Sequence, residues 1–285
     1  MVTVKNKLAE ASNLLKTRGI GDTPLLDCRI LLAHTLSTDV DLLTFHMAEE
    51  LSVINLEIFN SFVDRRVSGE PVSKIIGKKN FWNYEFFVNG EVLDPREDSE
   101  TLIEAVLEDF PRQRGEEENM KILELGIGSG CLLLTLLKLF ANAEGIGVDI
   151  SEKSLEVARK NAEILGVKNV NMILANWNSN LHGQFDIIVS NPPYVKRSEI
   201  NSLQNEIRLY EPAVALDGGA DGLECFRQIS SSIGKNMHSH SKIYIEIGYG
   251  QKESVSKIFI DNGFKFIRTR KDLRQIDRVL VFGAN

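Results

Sequence analysis

The sequence predicts an α/β protein: a mostly parallel, seven-stranded sheet preceded by a small helical bundle and a β-hairpin. After Pro95, short apolar runs alternate with segments of helix periodicity, the pattern of a parallel sheet covered on both faces. Up to about residue 70, leucine-rich positions recur at helix spacing instead. Between these regions, Asn80 to Val92 turns to aromatic and β-branched residues around Asn89-Gly90, a hairpin signal.

In the N-terminal part the helical stripes are Leu8, Leu14 and Leu15, then Leu25, Leu26, Ile30, Leu31 and Leu32, then Leu56, Phe59, Phe62 and Val63. Gly19 to Pro24 and Ser68 to Pro71 break them. Short helices cannot bury such stripes singly, so a bundle is expected. A helix follows at about 99–110, then an acidic polar stretch, Arg114 to Asn119, expected to be a surface loop. Strands are expected at 121–126, 145–149, 170–175, 185–190, 242–247, 264–269 and 278–282. Helices fall at 130–141, 152–165, 222–236 and 251–262, and the last two strands, joined by a short polar link, should pair antiparallel. Residues 195–221 are polar, irregular and long enough to suggest a functional loop.

Bulk properties narrow the function. The 285 residues are 43% hydrophobic and 26% charged, typical of a chain with a substantial core. A net charge of −7, spread over both halves, argues against broad electrostatic binding to nucleic acid. Three scattered cysteines, Cys28, Cys131 and Cys225, give neither a disulfide framework nor a zinc spacing, and no metal site is expected. Without a membrane-length apolar run, a signal core or a transit pattern, the expected location is the cytoplasm.

Two motifs carry chemistry. Glu124-Leu125-Gly126-Ile127-Gly128-Ser129-Gly130 ends the first strand of the sheet and reads as a nucleotide-cofactor loop. The dinucleotide fingerprint fails, because Cys131 stands at its third glycine position. Asp149 ends the next strand, 23 residues beyond Gly126, where a carboxylate accepts hydrogen bonds from ribose hydroxyls. Trp177 offers a flat face for adenine, and Asn176 a group for the base edge. Each alone has a bland reading: a turn, a helix cap, a core tryptophan. Their order at successive strand ends favours the cofactor.

Asn191-Pro192-Pro193-Tyr194 follows the apolar run 185–190. Proline fixes φ and has no N–H, and Pro193 keeps residue 192 extended. The Pro192 carbonyl and the Asn191 side-chain oxygen can then accept both hydrogens of a planar –NH2, with Tyr194 stacking on it. Those acceptors bind best as the nitrogen becomes tetrahedral and partly positive during attack. Phe81 is a second candidate for lining the substrate pocket, with packing at the hinge as the alternative. An Arg96–Glu100 pair is expected at the junction, and Arg65, Arg66, Lys74, Lys78 and Lys79 form a candidate docking patch.

Over nearly its whole length the chain resembles the N5-glutamine methyltransferases that modify peptide chain release factors (HemK/PrmC). The resemblance runs through Gly77 to Phe87, Leu93-Asp-Pro-Arg-Glu-Asp-Ser-Glu100, the glycine loop, Val148-Asp149 and Val189-Ser-Asn-Pro-Pro-Tyr194. It continues through Tyr210-Glu-Pro-Ala-Val-Ala-Leu-Asp217 and Lys271 to Val279. The Asn-Pro-Pro-Tyr turn is shared with adenine-N6 methyltransferases; the other stretches are more specific. The resemblance implies a Rossmann-like class I methyltransferase domain at 96–285, a hairpin linker at 79–95 and a helical substrate-docking domain at 1–78. It implies S-adenosylmethionine as donor, leaving S-adenosylhomocysteine. The donor would be contacted at Gly126, Ile127, Gly128, Ser129, Gly130, Asp149, Ile150, Asn176, Trp177 and Asn191. Asn191, Pro192, Pro193 and Tyr194 would bind the glutamine of the Gly-Gly-Gln loop of class-1 release factors, with Asn191, Pro192 and Tyr194 catalytic. No nucleic acid or membrane partner is expected, and a monomer suits a large protein substrate. The chain departs from the family pattern at Glu97, usually proline, Ile127, commonly threonine, and Asn176, usually aspartate. Two other functions compete: adenine-N6 methylation of DNA or RNA, and a non-catalytic scaffold with the cofactor fold.

Overall fold

The computed structural model describes residues 2–110, 120–179 and 181–284. The expected surface loop from Arg114 to Asn119 lies outside these residues. The chain divides into two compact units, Met1–Lys78 with Gln204–Tyr210, and Lys79–Leu203 with Glu211–Asn285.

The first unit holds α1 (Val4–Arg18), α2 (Pro24–Thr35), α3 (Val53–Val67) and α4 (Val72–Ile76). Local chemistry sets their ends. Thr3 and Ser52 accept the backbone N–H groups of Asn6 and Asn55, capping α1 and α3. Pro24 opens α2, where its missing N–H costs nothing. Leu8, Leu15, Leu31, Leu32, Phe59 and Val63 form the core. Leu25 and Leu26, read as part of that stripe, are instead 53% and 47% exposed. The first turn of α2 thus shows its leucines to solvent, as do Phe45, Val53 and Ile54 elsewhere in this unit. The basic cluster is not a free patch. Arg66 is buried and paired with Asp27 at 2.8 Å and with Glu206 at 2.7 Å, and Arg65 is paired with Glu70.

A hairpin follows, β1 (Lys78–Phe81) and β2 (Tyr84–Phe87). Its turn is Trp82-Asn83 rather than Asn89-Gly90, and Trp82 adopts φ 55° there. Asn89 instead forms a turn beyond β2, its Oδ1 accepting the Glu91 N–H.

The second unit continues with α5 (Glu100–Asp109), β3 (Lys121–Leu125), α6 (Cys131–Leu139), β4 (Glu144–Asp149), α7 (Glu152–Leu165), β5 (Val170–Leu174) and β6 (Phe185–Ser190). The stretch read as irregular holds a short helix, α8 (Asn205–Tyr210), which belongs to the first unit. Then come α9 (Glu224–Ser232), β7 (Met237–Glu246), α10 (Lys252–Asp261), β8 (Lys265–Lys271) and β9 (Asp277–Gly283). The sheet order is β5-β4-β3-β6-β7-β9-β8, parallel except for β9, which pairs antiparallel with β7 and β8. β7 starts five residues earlier than expected, and a bulge lies opposite it between Phe185 and Ile187.

Alternation along the central strands divides the core. Ile122, Ile187 and Val189 face the layer containing α5, α6 and α7, while Leu123, Leu125, Phe185 and Ile188 face α9 and α10. Both faces are covered, which is why these strands read as nearly continuous apolar runs. Among the described residues, no helix is long and apolar enough to cross a membrane.

Phe259 of α10 is fully buried and stacks on Phe282 of β9, centroids 4.5 Å apart. Phe259→Ala is expected to destabilise this unit by about 3–5 kcal/mol, read as a lowered denaturant midpoint.

Candidate active site

Strand order reverses between β3 and β6, so the loops leaving those two strands diverge from one crevice. Leu125 pairs with Ser190, which puts Gly126 and Asn191, the next residues, at adjacent strand ends. The Ser190 hydroxyl also donates to the Leu125 carbonyl at 2.7 Å. A cavity of about 370 Å³ opens there. Gly126, Ile127, Gly128, Ser129, Asp149, Ile150, Asn176, Trp177, Asn191 and Pro193 all line it.

The glycine loop has φ of 76°, 51° and 81° at Gly126, Gly128 and Gly130, a left-handed path that other residues rarely follow. Gly130 does not line the cavity; it caps α6, and a Cβ there would meet Leu134. Asp149 holds the loop by accepting from the Gly128 N–H at 2.9 Å and also from the Ser151 N–H. Burial pushes its carboxyl pKa up, against the pull of those amides. Ser151, not Asp149, caps α7. The Trp177 ring lies over Gly126, whose Cβ would sit 3.8 Å from Cζ3, and its indole N–H donates to Gln228 at 2.6 Å. Ile127 is buried, and its tip fills the space a Cβ on Gly147 of β4 would need.

The Asn-Pro-Pro-Tyr turn is strapped in place. Gly218 donates to the Val195 carbonyl and Val195 to that of Leu216. Gln251 donates to the carbonyls of Tyr194 and Gly222. Pro192 is buried. Tyr194 does not line the cavity. Its ring packs on the core beside Gly248, and its hydroxyl sits 3.5 Å from Glu246. Of the two readings for Phe81, the structure takes packing, and the residue does not line the cavity. It is 1% exposed and meets Phe86 edge-on within the core.

Arg96 pairs with Glu211 at 2.6 Å, not with Glu100, which instead accepts the Trp82 N–H. Glu211 also takes the Asp94 N–H. The Pro-Arg and Tyr-Glu-Pro-Ala stretches are thereby locked together, and Pro95, Arg96 and Pro212 all line the cavity.

Sequence reasoning passed over four lining residues of consequence: Glu124, Ser99, Cys131 and Gln228. Glu124 is 2% exposed and accepts the Leu133 N–H; burial, reinforced by the charge on Asp149, raises its pKa well above the usual carboxylate value. Its place at the head of the glycine motif was the one available signal. Burial likewise raises the Cys131 thiol. Among the described residues, no cluster of histidine, cysteine and acids could hold a metal ion.

The fold and loop set define a class I S-adenosylmethionine-dependent methyltransferase. A methyltransferase-domain family model matches residues 116–245, and a PrmC N-terminal domain model matches residues 6–77. Ribosomal protein L11 methylase from Lactobacillus delbrueckii subsp. bulgaricus shares the fold at TM-score 0.50 and 16% identity, over 73% of this chain and 90% of that one. The chain is 38% identical to the release factor glutamine methyltransferase of Agrobacterium fabrum, over 98% of its own length and 97% of that protein. Identity to the Caulobacter vibrioides protein of the same description is 36%, over 98% and 96%. The chain belongs to the release factor glutamine methyltransferase family.

A Cβ on Gly218 would lie 2.8 Å from the Tyr194 Cα and 2.9 Å from the Pro193 carbonyl, both backbone atoms that cannot swing away. Gly218→Ala should therefore displace the turn at a cost of about 1–3 kcal/mol. Methyl transfer should fall further than cofactor affinity, which calorimetry and a rate assay would separate.

Proposed function

We infer that this chain transfers a methyl group from S-adenosylmethionine to the side-chain amide nitrogen of a glutamine in peptide chain release factors. The observation carrying this is the pairing of Leu125 with Ser190, which sets the glycine loop and Asn191 on one cavity. Kinship over 97% of a release factor glutamine methyltransferase supplies the substrate class.

The residues present fit the donor. Asp149 keeps lone pairs for ribose hydroxyls beside its two amide contacts, and the Trp177 ring roofs the gap left by the missing Gly126 side chain. Glu124 brings a buried carboxyl to the cavity lining, an environment favourable to a cationic ligand. When bound, S-adenosylmethionine supplies an electrophilic methyl group. Asn191 Oδ1 and the Pro192 carbonyl accept the two hydrogens of the substrate amide and turn its nitrogen toward that methyl. As the N–C bond forms and the S–CH3 bond of the donor breaks, releasing S-adenosylhomocysteine, the nitrogen gains positive charge, which the two acceptors stabilise, and it then loses one proton to solvent. Positioning contributes on the order of several kcal/mol to lowering the barrier. Tyr194, packed against the core, steadies the turn.

The finer reading is that the target is the Gly-Gly-Gln glutamine, modified at N5, and that residues 1–78 dock the release factor body. Exposed Leu25, Leu26, Phe45, Val53 and Ile54 in that unit suit such a role. The enzyme would act as a cytoplasmic monomer, and the net charge of −7 disfavours a nucleic acid partner.

The test is transfer of labelled methyl to unmodified release factor, with DNA and RNA as alternative acceptors. Label is expected in the release factor alone and should vanish when its Gly-Gly-Gln glutamine is replaced. Asn191→Ala should lower kcat/KM by about 10²–10³-fold, the usual effect of losing one oriented hydrogen-bonding group at a reacting centre. Label in nucleic acid, or none in any acceptor, would overturn the reading.

A further inference from the structure

Asn191 carries the proposed chemistry, yet an asparagine side chain has two nearly isosteric ends. Only the oxygen can accept from a substrate –NH2; the nitrogen would oppose it with hydrogens of its own. Something must fix which end faces the substrate.

The structure holds such a device. Asn191 Nδ2 donates to the Ser99 hydroxyl at 3.1 Å, and that hydroxyl donates to Glu246 Oε2 at 2.5 Å. Ser99 leads into α5 with helical dihedrals and makes no capping hydrogen bond, so its hydroxyl serves this pairing instead. Both Ser99 and Glu246 are essentially buried, at 2% and 1% exposure, which excludes solvent as a competing partner. A hydroxyl has one hydrogen. Once a carboxylate takes it, only lone pairs remain for Asn191, and the amide must present its –NH2 inward and Oδ1 outward.

We propose that Glu246, acting through Ser99, is a positioning residue that sets the Asn191 amide with its oxygen toward the substrate. This rests on Asn191 binding the glutamine amide as described above. Protonation of Glu246 would reverse the relay. The acid would donate to Ser99, freeing the serine hydrogen for Asn191 Oδ1 and turning the amide –NH2 toward the substrate.

The surroundings set where that reversal falls. Burial raises the Glu246 pKa to about 7, opposed by the Ser99 hydrogen bond and the Arg278 guanidinium. Asp98 raises it further, and the Tyr194 hydroxyl lowers it. The Cys131 thiol is the other titratable group that feels its charge. Arg278 is in turn held by Asp272 at 2.9 Å and Asp98 at 3.2 Å. Because the ionised form is the competent one, activity should be full above that pKa and decline as pH falls through it.

The experiment is kcat against pH for the full-length enzyme, at saturating cofactor and release factor. Saturation removes the contributions of Asp149 and Glu124 to cofactor affinity. Wild type is expected to lose about tenfold in kcat per unit below pH ~7, the slope of one essential ionisation. Glu246→Gln and Ser99→Ala should each lower kcat at least about tenfold and flatten that acidic limb, with cofactor Kd and Tm nearly unchanged. Ser99→Thr keeps the hydroxyl and should keep both rate and limb. An acidic limb that survives in Ser99→Ala or Glu246→Gln would overturn the proposal. If Glu246→Gln does not fold, Ser99→Ala alone decides. Absence of methyl transfer by wild type would instead be failure of the functional reading itself.

Discussion

The pairing of Leu125 with Ser190 is the contact on which the site depends. Two parallel strands with both faces buried cannot slip by one residue, since every side chain would change layers. Ile122 and Leu123 on β3, and Ile187 and Ile188 on β6, lie on opposite faces of the sheet and lock that register. With register fixed, a loop shaped by glycines and a turn shaped by prolines must emerge side by side. The Ser190 hydroxyl adds a side-chain tie to the Leu125 carbonyl at the last rung. Loss of this registry would separate the two loops even if each kept its own conformation.

Neither loop is held by its own sequence alone. The glycine loop hangs from β4 through Asp149 and from α7 through Asn161, which donates to the carbonyls of Ser129 and Phe87 and accepts the Phe87 N–H. One buried side chain thereby joins the hairpin to the cofactor loop. The proline turn is bound by Gly218 and Gln251, which come from the segment after it and from the start of α10. These ties use backbone groups of the turn, so they restrain its path without covering the Asn191 side chain, which lines the cavity.

What could be read in advance follows from this division. The sheet, its antiparallel end and the two loops were readable because strand periodicity, glycine and proline act locally. The partners of charged groups were not. Arg96 sits four residues from Glu100 but pairs with Glu211, 115 positions away, and only the folded chain brings those two together. Asn89-Gly90 is a good turn sequence, yet the hairpin closes at Trp82, because burying Phe81 and Phe86 together outweighs the local preference. The basic cluster near residue 70 dissolved for a similar reason: Arg66 meets Asp27 and Glu206 in the interior of its unit. Tyr194 offers a flat ring for stacking, but that its ring packs against the core beside Gly248 depends on a contact between distant segments.

The buried acids follow a common electrostatic pattern. Glu124 and Glu246 both lie on the sheet face covered by α5 and α6, both are almost wholly excluded from water, and burial raises the pKa of both. A carboxyl in such a place is costly unless something compensates it. Their compensation differs. Glu124 has the Leu133 amide, and the neighbouring Asp149 charge works against its ionisation. Its ionised form therefore has little support within the protein. Glu246 has Ser99, Tyr194 and the Arg278 guanidinium, each of which favours its ionised form against burial. The two acids thus differ in what supports their charge: a single backbone amide for Glu124, and two hydroxyls and a guanidinium for Glu246. Because the two acids stand on separate strands, β3 and β7, the hydrogen-bonded chain through Ser99 to Asn191 runs from Glu246 and does not pass through Glu124.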